Sequence, residues 1–246
     1  MIKVNNLNKS LTDEGTKREI LHGITTQYEA GEMIGIVGPS GSGKSTLLRC
    51  LALREKWDSG DYTWEGNSVI KGGGRGPQKY RSKCAYLEQN PSLDIEKTAL
   101  KNVLIGQAGQ VSRLRRLIGM VRSDDYMGAM DELEKYGLLD KAKLKAGSLS
   151  GGEKQRVAIC RALVHGAGFI AADEPVIGLD PKTAEHVINT LKTLCIEQDK
   201  IVIAALPIEL AERYCTRIWG IIDGELRVDV KGRRLTMDEK RSIDLV

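Results

Sequence analysis

Nine consecutive residues near the start of the sequence have the types and spacing of a loop that binds phosphate. They are Gly38, Pro39, Ser40, Gly41, Ser42, Gly43, Lys44, Ser45 and Thr46. The glycines allow successive backbone N–H groups to converge on phosphate oxygens at the positive end of a following helix. Lys44 adds a mobile positive charge, and the Ser45 hydroxyl is a suitable ligand for Mg²⁺. This phosphate loop predicts a site for a nucleoside triphosphate and its magnesium ion.

Two adjacent carboxylates in the second half of the chain could supply hydrolytic chemistry. Asp173 and Glu174 follow the apolar run Phe169–Ala172, at the end of a predicted strand. Open α/β sheets bind their ligands at that edge. We expect Asp173 to hold Mg²⁺, usually through water, and Glu174 to orient and deprotonate the attacking water. The alternative is a strand that ends in acidic surface residues, and the phosphate loop in the same chain favours the functional interpretation.

A second glycine-containing motif, the signature segment 149–153, predicts another anion site. Ser150 is a natural N-cap, and Gly151 and Gly152 expose backbone N–H groups at the head of a helix predicted over 153–163. One triphosphate cannot easily occupy both this terminus and the phosphate loop of the same subunit. We therefore expect the signature segment to reach the nucleotide of a partner subunit.

The apolar pattern predicts the elements that position these motifs. The run Met33–Val37 precedes the phosphate loop and residues 47–51 follow it, which is the order strand, loop, helix. Two further apolar runs, 168–172 and Ile201–Ala205, are separated by a predicted helix over 183–197. Strands that are apolar on both faces and alternate with helices indicate a parallel sheet covered by helices.

Other segments predict a peripheral hairpin, a helical region and a second hairpin. Residues 2–7 and 19–28 read as strands joined by an exposed loop, and a turn is predicted at Asp223 and Gly224. The pattern is helical from about 91 to 165, where one helix should bury a face and end at Gly137. That face carries Met127, Met130, Leu133 and Tyr136.

The amino-acid composition excludes several classes of protein. The 246 residues are 41% hydrophobic and 28% charged, and they contain neither a run of eighteen apolar residues nor a secretion signal at the start. Five widely spaced cysteines without a Cys-x-x-Cys pair argue against a disulfide framework or a zinc site, and we expect them to be buried in a reducing cytosol. A net charge of +4 is compatible with an anionic ligand or a membrane surface and is too small to argue for nucleic acid.

The order and spacing of these motifs resemble those of the ATP-binding cassette (ABC) ATPases over essentially the whole chain. The matching motifs are the phosphate loop, the signature segment, the Asp-Glu-Pro at 173–175 and the Gly-Leu-Asp at 178–180, which stands in the position of the D-loop. The resemblance implies an α/β P-loop NTPase fold with a RecA-like core, an antiparallel β subdomain and an α-helical subdomain. It implies one domain over 1–246, with 1–90 and 166–246 forming the catalytic core and β subdomain and 91–165 forming the helical subdomain.

The resemblance also implies roles for named residues. Members of this family form a head-to-tail dimer with two ATP molecules, each held between the phosphate loop of one subunit and the segment Ser150, Gly151 and Gly152 of the other. Gln89 stands where the family has its Q-loop glutamine, which contacts Mg²⁺ and water and couples closure to the membrane subunits. Asp180 of the D-loop would link the two sites. The implied catalytic residues are Lys44, Gln89 and Glu174, and the implied magnesium ligands are Ser45, Gln89 and Asp173.

Within the family, several segments are similar to the ATPase subunits of phosphonate importers. They are residues 100–106, the basic insertion 113–117, residues 213–218 and the turn 223–224. This similarity implies an ATP-hydrolysing subunit of an importer of phosphonate or a related oxyanion, peripheral on the cytoplasmic face of the membrane. Its implied partners are integral membrane permease subunits, a second ATPase subunit that is identical or related, and indirectly an extracytoplasmic solute-binding protein. No nucleic-acid partner is expected.

The sequence departs from the family pattern at two positions. No aromatic residue that could stack on adenine lies near Leu11, and Pro207 stands where the family has a histidine that contacts the γ-phosphate. Loss of that donor predicts slow hydrolysis. The alternative functions are an ATP-binding module with weak or no hydrolysis, as the degenerate half of a heterodimer or as a regulator, and a soluble ABC protein of the repair or translation type.

Overall fold

The computed structural model describes residues 1–13, 16–69, 76–107, 123–164 and 166–244. The basic insertion 113–117 lies outside the described residues. The strands are β1 (Ile2–Asp13), β2 (Thr16–Tyr28), β3 (Met33–Val37), β4 (Ser59–Trp64), β5 (Asn67–Ser68), β6 (Cys84–Leu87), β7 (Phe169–Ala172), β8 (Ile201–Ala205), β9 (Arg217–Ile222) and β10 (Glu225–Lys231). The described α-helices are α1 (Lys44–Leu51), α2 (Gly76–Arg81), α3 (Ala99–Gln107), α4 (Ser123–Lys135), α5 (Gly151–Val164), α6 (Pro181–Gln198), α7 (Ile208–Tyr214) and α8 (Met237–Asp244).

The chain divides into two compact units. The core unit comprises Met1–Tyr86, Gly168–Glu174 and Leu191–Val246, and the helical unit comprises Leu87–Ala167 and Pro175–Thr190.

The core unit is built on two sheets. One has six strands in the order β10-β9-β3-β8-β7-β6, in which β3 pairs in parallel with β8 and β9, and β7 pairs in parallel with β8. The central strands β3, β7 and β8 are buried at every residue, as expected for parallel strands that are covered on both faces. The other sheet is antiparallel with the order β2-β1-β4-β5. The mixed α/β architecture predicted from the sequence is therefore confirmed.

The helical unit is held together by packing among α3, α4 and α5. Its buried residues include Val103 on α3, Leu133 on α4 and Ile159 on α5, each of which is fully inaccessible to solvent. The predicted helix that ends at Gly137 is present as α4, and Gly137 has a φ of 66°. The prediction that Met127 lies on its buried face was wrong, because this side chain is 57% exposed. The buried face of α4 is thus narrower than the i, i+3 pattern indicated.

The burial of the cysteines agrees with the prediction from composition. All five thiols are free, and four of them are buried while Cys215 is partly buried. Burial raises the pKa of the Cys50 and Cys84 thiols to about 12, so they stay protonated and act as small apolar side chains. In the described part of the chain, the helices fall short of the length and apolar character needed to cross a membrane.

Candidate functional site

The phosphate loop connects the end of β3 to the start of α1, as the sequence predicted. Gly43 is the N-cap of α1 with a φ of 101°, a left-handed conformation that favours glycine. The N-cap has no side chain that could cap the helix, and α1, whose residues are all described, has no acidic residue in its first turn. The N–H groups of that first turn are therefore suited to an anionic ligand.

Lys44 lies in contact with the backbone of the same loop. Its Nζ donates hydrogen bonds to the carbonyl oxygens of Gly38 at 2.8 Å and Pro39 at 2.7 Å. Burial lowers the pKa of Lys44, while the charges of Glu174 and Asp173 act in the opposite direction and favour the charged form. The ammonium group of Lys44 is thus close enough to interact with the carboxylates of Asp173 and Glu174. Both carboxylates follow the end of β7, as the sequence predicted.

Both oxygens of Asp173 accept hydrogen bonds in the core unit. Oδ1 accepts one from the Ser45 hydroxyl at 2.9 Å, and Oδ2 accepts one from the Tyr86 hydroxyl at 2.7 Å. Burial and, to a lesser extent, the hydrogen bond to Asp173 raise the pKa of Tyr86, and the interaction of Arg49 with the Tyr86 hydroxyl raises the pKa of Arg49. Tyr86 and Arg49 were not predicted from the sequence. The sequence feature that could have indicated Tyr86 is its position, as a polar residue near the end of β6 and three residues before Gln89.

Glu174 has a backbone conformation that non-glycine residues rarely adopt. Its φ is 48°, in the left-handed region, and its side chain is half-buried. Residues with a strained backbone cluster at active sites, where contacts with the surrounding structure hold them in that conformation. This observation agrees with a chemical role for the carboxylate that follows Asp173.

The donor set around Ser45 and Asp173 fits Mg²⁺. The Ser45 Oγ and Asp173 Oδ1 atoms lie 2.9 Å apart and are both hard oxygen ligands. Over the described ranges no group of three or more His, Cys, Asp or Glu side chains could hold a metal ion by itself. Mg²⁺ is commonly bound by one or two protein oxygens together with substrate phosphates and water. The residues therefore suit an ion that binds together with a nucleotide.

The turn between β9 and β10 supports the phosphate loop, which the sequence did not reveal. The Gly224 N–H donates to the Ser42 carbonyl at 3.1 Å, and the His22 N–H donates to the Gly224 carbonyl at 2.9 Å. Gly224 has a φ of 76°, and a Cβ at this position would collide with the carbonyl of Ile20. Only glycine fits this close approach, so the predicted hairpin turn also braces the loop.

Pro207 lies at the same edge of the sheet as the phosphate loop. It follows β8, which pairs with β3, and the preceding Leu206 N–H donates to the Ile36 carbonyl at 3.0 Å. Pro207 is the exposed N-cap of α7, and its carbonyl accepts from Leu210 N at 3.1 Å and Ala211 N at 3.0 Å. The position has no side-chain donor, as the sequence indicated.

The signature segment begins α5 with reciprocal hydrogen bonds. The Glu153 carboxylate accepts from the Ser150 N–H at 2.7 Å, and the Ser150 Oγ accepts from the Glu153 N–H at 3.3 Å. This is a capping box, and it confirms Ser150 as the N-cap. The helix starts at Gly151, two residues before the predicted start, because the two glycines adopt helical geometry.

The helical unit brings Gln89, the signature segment and the D-loop together. Gln155 of α5, which is 2% exposed, donates from Nε2 to the carbonyls of Glu88 at 3.2 Å and Gln89 at 3.0 Å. A cleft of about 350 Å³ is lined by residues that include Gln89, Gly151 and Leu179. Gln155 was not predicted from the sequence, because its role depends on the fold.

Asp180 of the D-loop caps the next helix. Its Oδ1 accepts from the Thr183 N–H at 3.1 Å at the start of α6. The side-chain and backbone hydrogen bonds of Thr183 lower the pKa of Asp180. The predicted site residues thus fall into two sets: the phosphate loop, Asp173 and Glu174 belong to the core unit, while Gln89, the signature segment and Asp180 belong to the helical unit.

Curated relatives match nearly the full length of the chain. The phosphonates import ATP-binding protein PhnC 1 of Trichodesmium erythraeum is 39% identical over 93% of this chain and 89% of its own. The phosphonates import ATP-binding protein PhnC of Lactococcus lactis subsp. cremoris is 34% identical over 97% of this chain and 96% of its own.

Solved structures and a family model agree with these relatives. The dimeric post-hydrolysis state of the ATP-binding cassette MJ0796 bound to ADP and Pi superposes with a TM-score of 0.82 and 30% identity, covering 96% of this chain and 100% of that one. A nucleotide-free ATP-binding cassette from an ABC transporter gives a TM-score of 0.81 at 25% identity, covering 100% of this chain and 95% of that one. The family model described as ABC transporter matches residues 21–177. The chain therefore belongs to the ABC transporter family and is one of its ATPases.

Proposed function

We propose that this chain is the ATP-binding and ATP-hydrolysing subunit of a membrane importer for phosphonate or a related oxyanion. The observation that carries the proposal is the cluster in the core unit, where Lys44 lies on the phosphate loop and the Ser45 hydroxyl bonds to Asp173 at 2.9 Å. The importer and its substrate class follow from the near full-length match to relatives that are named as phosphonates import ATP-binding proteins.

The residues of the core unit bind and orient ATP in this proposal. The first-turn N–H groups of α1 and the ammonium of Lys44 bind the phosphates, and Ser45 with Asp173 would hold Mg²⁺. Mg²⁺ held there would supply positive charge against the negative charge that develops on the phosphate oxygens during transfer. Glu174 accepts the proton of the attacking water, and the ammonium of Lys44 lies near enough to interact with its carboxylate.

The signature segment acts on the nucleotide of a second ATPase subunit. The Ser150 Oγ accepts a hydrogen bond from the Glu153 N–H, and the same hydroxyl still has its own proton to donate to a phosphate. The amides of Gly151 and Gly152 lie at the positive end of α5 and add to the attraction. Asp180 would link the two nucleotide sites through the D-loop. A second copy of the chain or a related subunit is needed to complete each site.

A permease subunit would dock on the loop that follows Gln89. The buried Asn102 holds this loop, since its Oδ1 accepts from Asp94 N at 2.8 Å and its Nδ2 donates to Asp94 O at 2.9 Å. The loop presents Ile95, which is 58% exposed, and this residue lines the same cleft as Gln89. The same cleft is lined by Ile177, which is 51% exposed, and exposed apolar side chains that lie together suit an apolar partner surface. Docking there would keep the chain peripheral at the cytoplasmic face, and a solute-binding protein would act through the permease.

Two variants test the nucleotide chemistry. Lys44→Ala should abolish detectable ATP binding because it removes the charge that faces the phosphates. Glu174→Gln should retain ATP binding, lose turnover by about 10²–10⁴-fold and accumulate a closed ATP-bound dimer in size-exclusion chromatography. The matched control is Glu197→Gln, which neutralises an exposed carboxylate on α6. Unchanged turnover in Glu174→Gln would remove Glu174 from the role of general base.

The importer assignment needs a separate measurement. The chain is reconstituted with its permease and binding protein in proteoliposomes, and ATP turnover is measured with phosphonate, phosphate, sulfate or no solute. We expect stimulation by phosphonate or a related oxyanion. Failure of all three oxyanions to stimulate turnover would contradict the proposed substrate class and leave the ATPase chemistry intact.

A further inference from the structure

Tyr86 holds the oxygen of Asp173 that faces away from Ser45. The Tyr86 hydroxyl donates to Asp173 Oδ2 at 2.7 Å, while Ser45 donates to Oδ1 at 2.9 Å. Tyr86 is half-buried at the end of β6, and Asp173 directly follows β7, the neighbouring strand of the sheet. Two donors on different elements thus fix both ends of one carboxylate.

The direction of the Tyr86 hydrogen bond is set by Asp173, because the oxygens of a carboxylate accept hydrogen bonds. The Arg49 guanidinium, which can only donate, interacts with the Tyr86 hydroxyl, and this interaction raises the pKa of Arg49. The Tyr86 hydroxyl therefore directs its proton to Asp173, and its oxygen is left free to interact with Arg49. Each bond in such a chain polarises the next, so the charged donor strengthens the bond to Asp173.

The chain of donors starts on the helix that carries the phosphate-binding residues. Arg49 lies in the last turn of α1, and its guanidinium is also 3.9 Å from the Glu55 carboxylate. Neighbouring residues Leu48 and Cys50 are fully buried, so α1 is firmly packed where Arg49 projects from it. The orientation of Asp173 is consequently tied to α1 on one side through Ser45 and on the other through Arg49 and Tyr86.

We infer that Tyr86 is a positioning residue for the magnesium site: it fixes the Asp173 side chain so that Oδ1 faces Ser45 before the ion binds. The inference rests on the proposed function, in which Ser45 and Asp173 hold Mg²⁺. The terminal torsion of an aspartate is broad, so a carboxylate held at only one oxygen can rotate away from its partner. Hydrogen bonds to metal ligands of this kind change metal affinity about 10–100-fold when they are removed.

The test is the Tyr86→Phe variant, which deletes one oxygen atom. Binding of a non-hydrolysable fluorescent ATP analogue is measured with EDTA and then over a Mg²⁺ titration, so the readout does not depend on turnover. We expect the affinity in EDTA to be unchanged and the Mg²⁺ concentration for half-maximal tightening to rise about 10-fold. Tyr62→Phe is the matched control, since it removes a buried hydroxyl that donates to the Leu51 carbonyl at 2.9 Å in the same unit. It should lower the melting temperature and leave the Mg²⁺ midpoint unchanged.

A second variant and a double-mutant cycle separate positioning from a structural role. Arg49→Met keeps the Tyr86 hydroxyl and releases it from its charged donor, so the Mg²⁺ midpoint should rise in the same direction by a smaller factor. In an Asp173→Asn background, Tyr86→Phe should produce no further change, because Tyr86 acts through Asp173. A midpoint within twofold of the parent in Tyr86→Phe, or an equal shift in the Asp173→Asn background, would overturn the inference. A parent chain that binds ATP equally with and without Mg²⁺ would overturn the magnesium site itself.

Discussion

Replacing Pro207 with histidine should raise ATP turnover while leaving the fold intact. The Pro207 backbone has a φ of −55° and a ψ of 148°, which any residue adopts without strain. Its carbonyl makes the hydrogen bonds to Leu210 and Ala211, and a histidine retains that carbonyl. The side chain is exposed, so an imidazole at this position would be solvated and directed outward at the edge of the sheet that carries the phosphate loop.

Two magnitudes decide the expected outcome. Loss of the proline ring increases the entropy of the unfolded chain and should cost about 0.4–1 kcal/mol of stability. A hydrogen-bond donor directed at the transition state is worth about 10²–10³ in rate, or about 2.7–4 kcal/mol. The first figure lowers the free energy of unfolding and the second lowers the activation free energy of hydrolysis. The variant should therefore be slightly less stable and markedly faster.

The assay compares steady-state ATP turnover of the parent, Pro207→His and Pro207→Ala at saturating ATP and Mg²⁺. Pro207→Ala is the matched control, because it removes the ring without adding a donor. We expect slow turnover in the parent and the alanine variant, and a gain approaching 10²-fold in the histidine variant. ATP affinity is measured separately, so that a change in binding is not mistaken for a change in rate.

Equal turnover in the histidine and alanine variants would refute the reasoning, because it would show that this position does not face the reacting phosphate. Rapid hydrolysis by the parent would show that the chain does not need a donor there. It would also exclude the interpretation of the chain as a binding module without useful hydrolysis.

The remaining predictions concern the helical unit. Ser150→Ala removes the N-cap of α5 and should lower stability by about 1 kcal/mol, measured by thermal melting. It should also abolish ATP-dependent dimerisation, measured by light scattering. Ser148→Ala is its control, and equal dimerisation in both variants would contradict a role for Ser150 across the dimer. Gln155→Leu removes the hydrogen bonds to the carbonyls of Glu88 and Gln89 and should cost about 1–3 kcal/mol of stability. Amide hydrogen exchange should accelerate over residues 88–95, and unchanged protection there would contradict the anchoring role.

The local parts of the site could be predicted because contiguous residues encode them. The apolar β3, the glycines that follow it and the start of α1 form one unbroken stretch, and the capping residues Ser150 and Glu153 are three positions apart. The hairpin turn at Asp223 and Gly224 was predicted for the same reason. The error at Met127 arose because helical periodicity indicates which side of a helix is apolar and leaves the width of the buried stripe undetermined.

The sequence by itself determined the family, the phosphate loop and the two carboxylates, because each depends on short runs of residue types. Only the tertiary structure decided that Tyr86 bonds to Asp173, 87 residues away, and that Gln155 holds the backbone of Gln89, 66 residues away. It also decided that Gly224 supports Ser42. Such contacts depend on strand order and helix packing, which are set by the burial of the whole core. No local pattern of residue types encodes them, because the partners are far apart in the sequence.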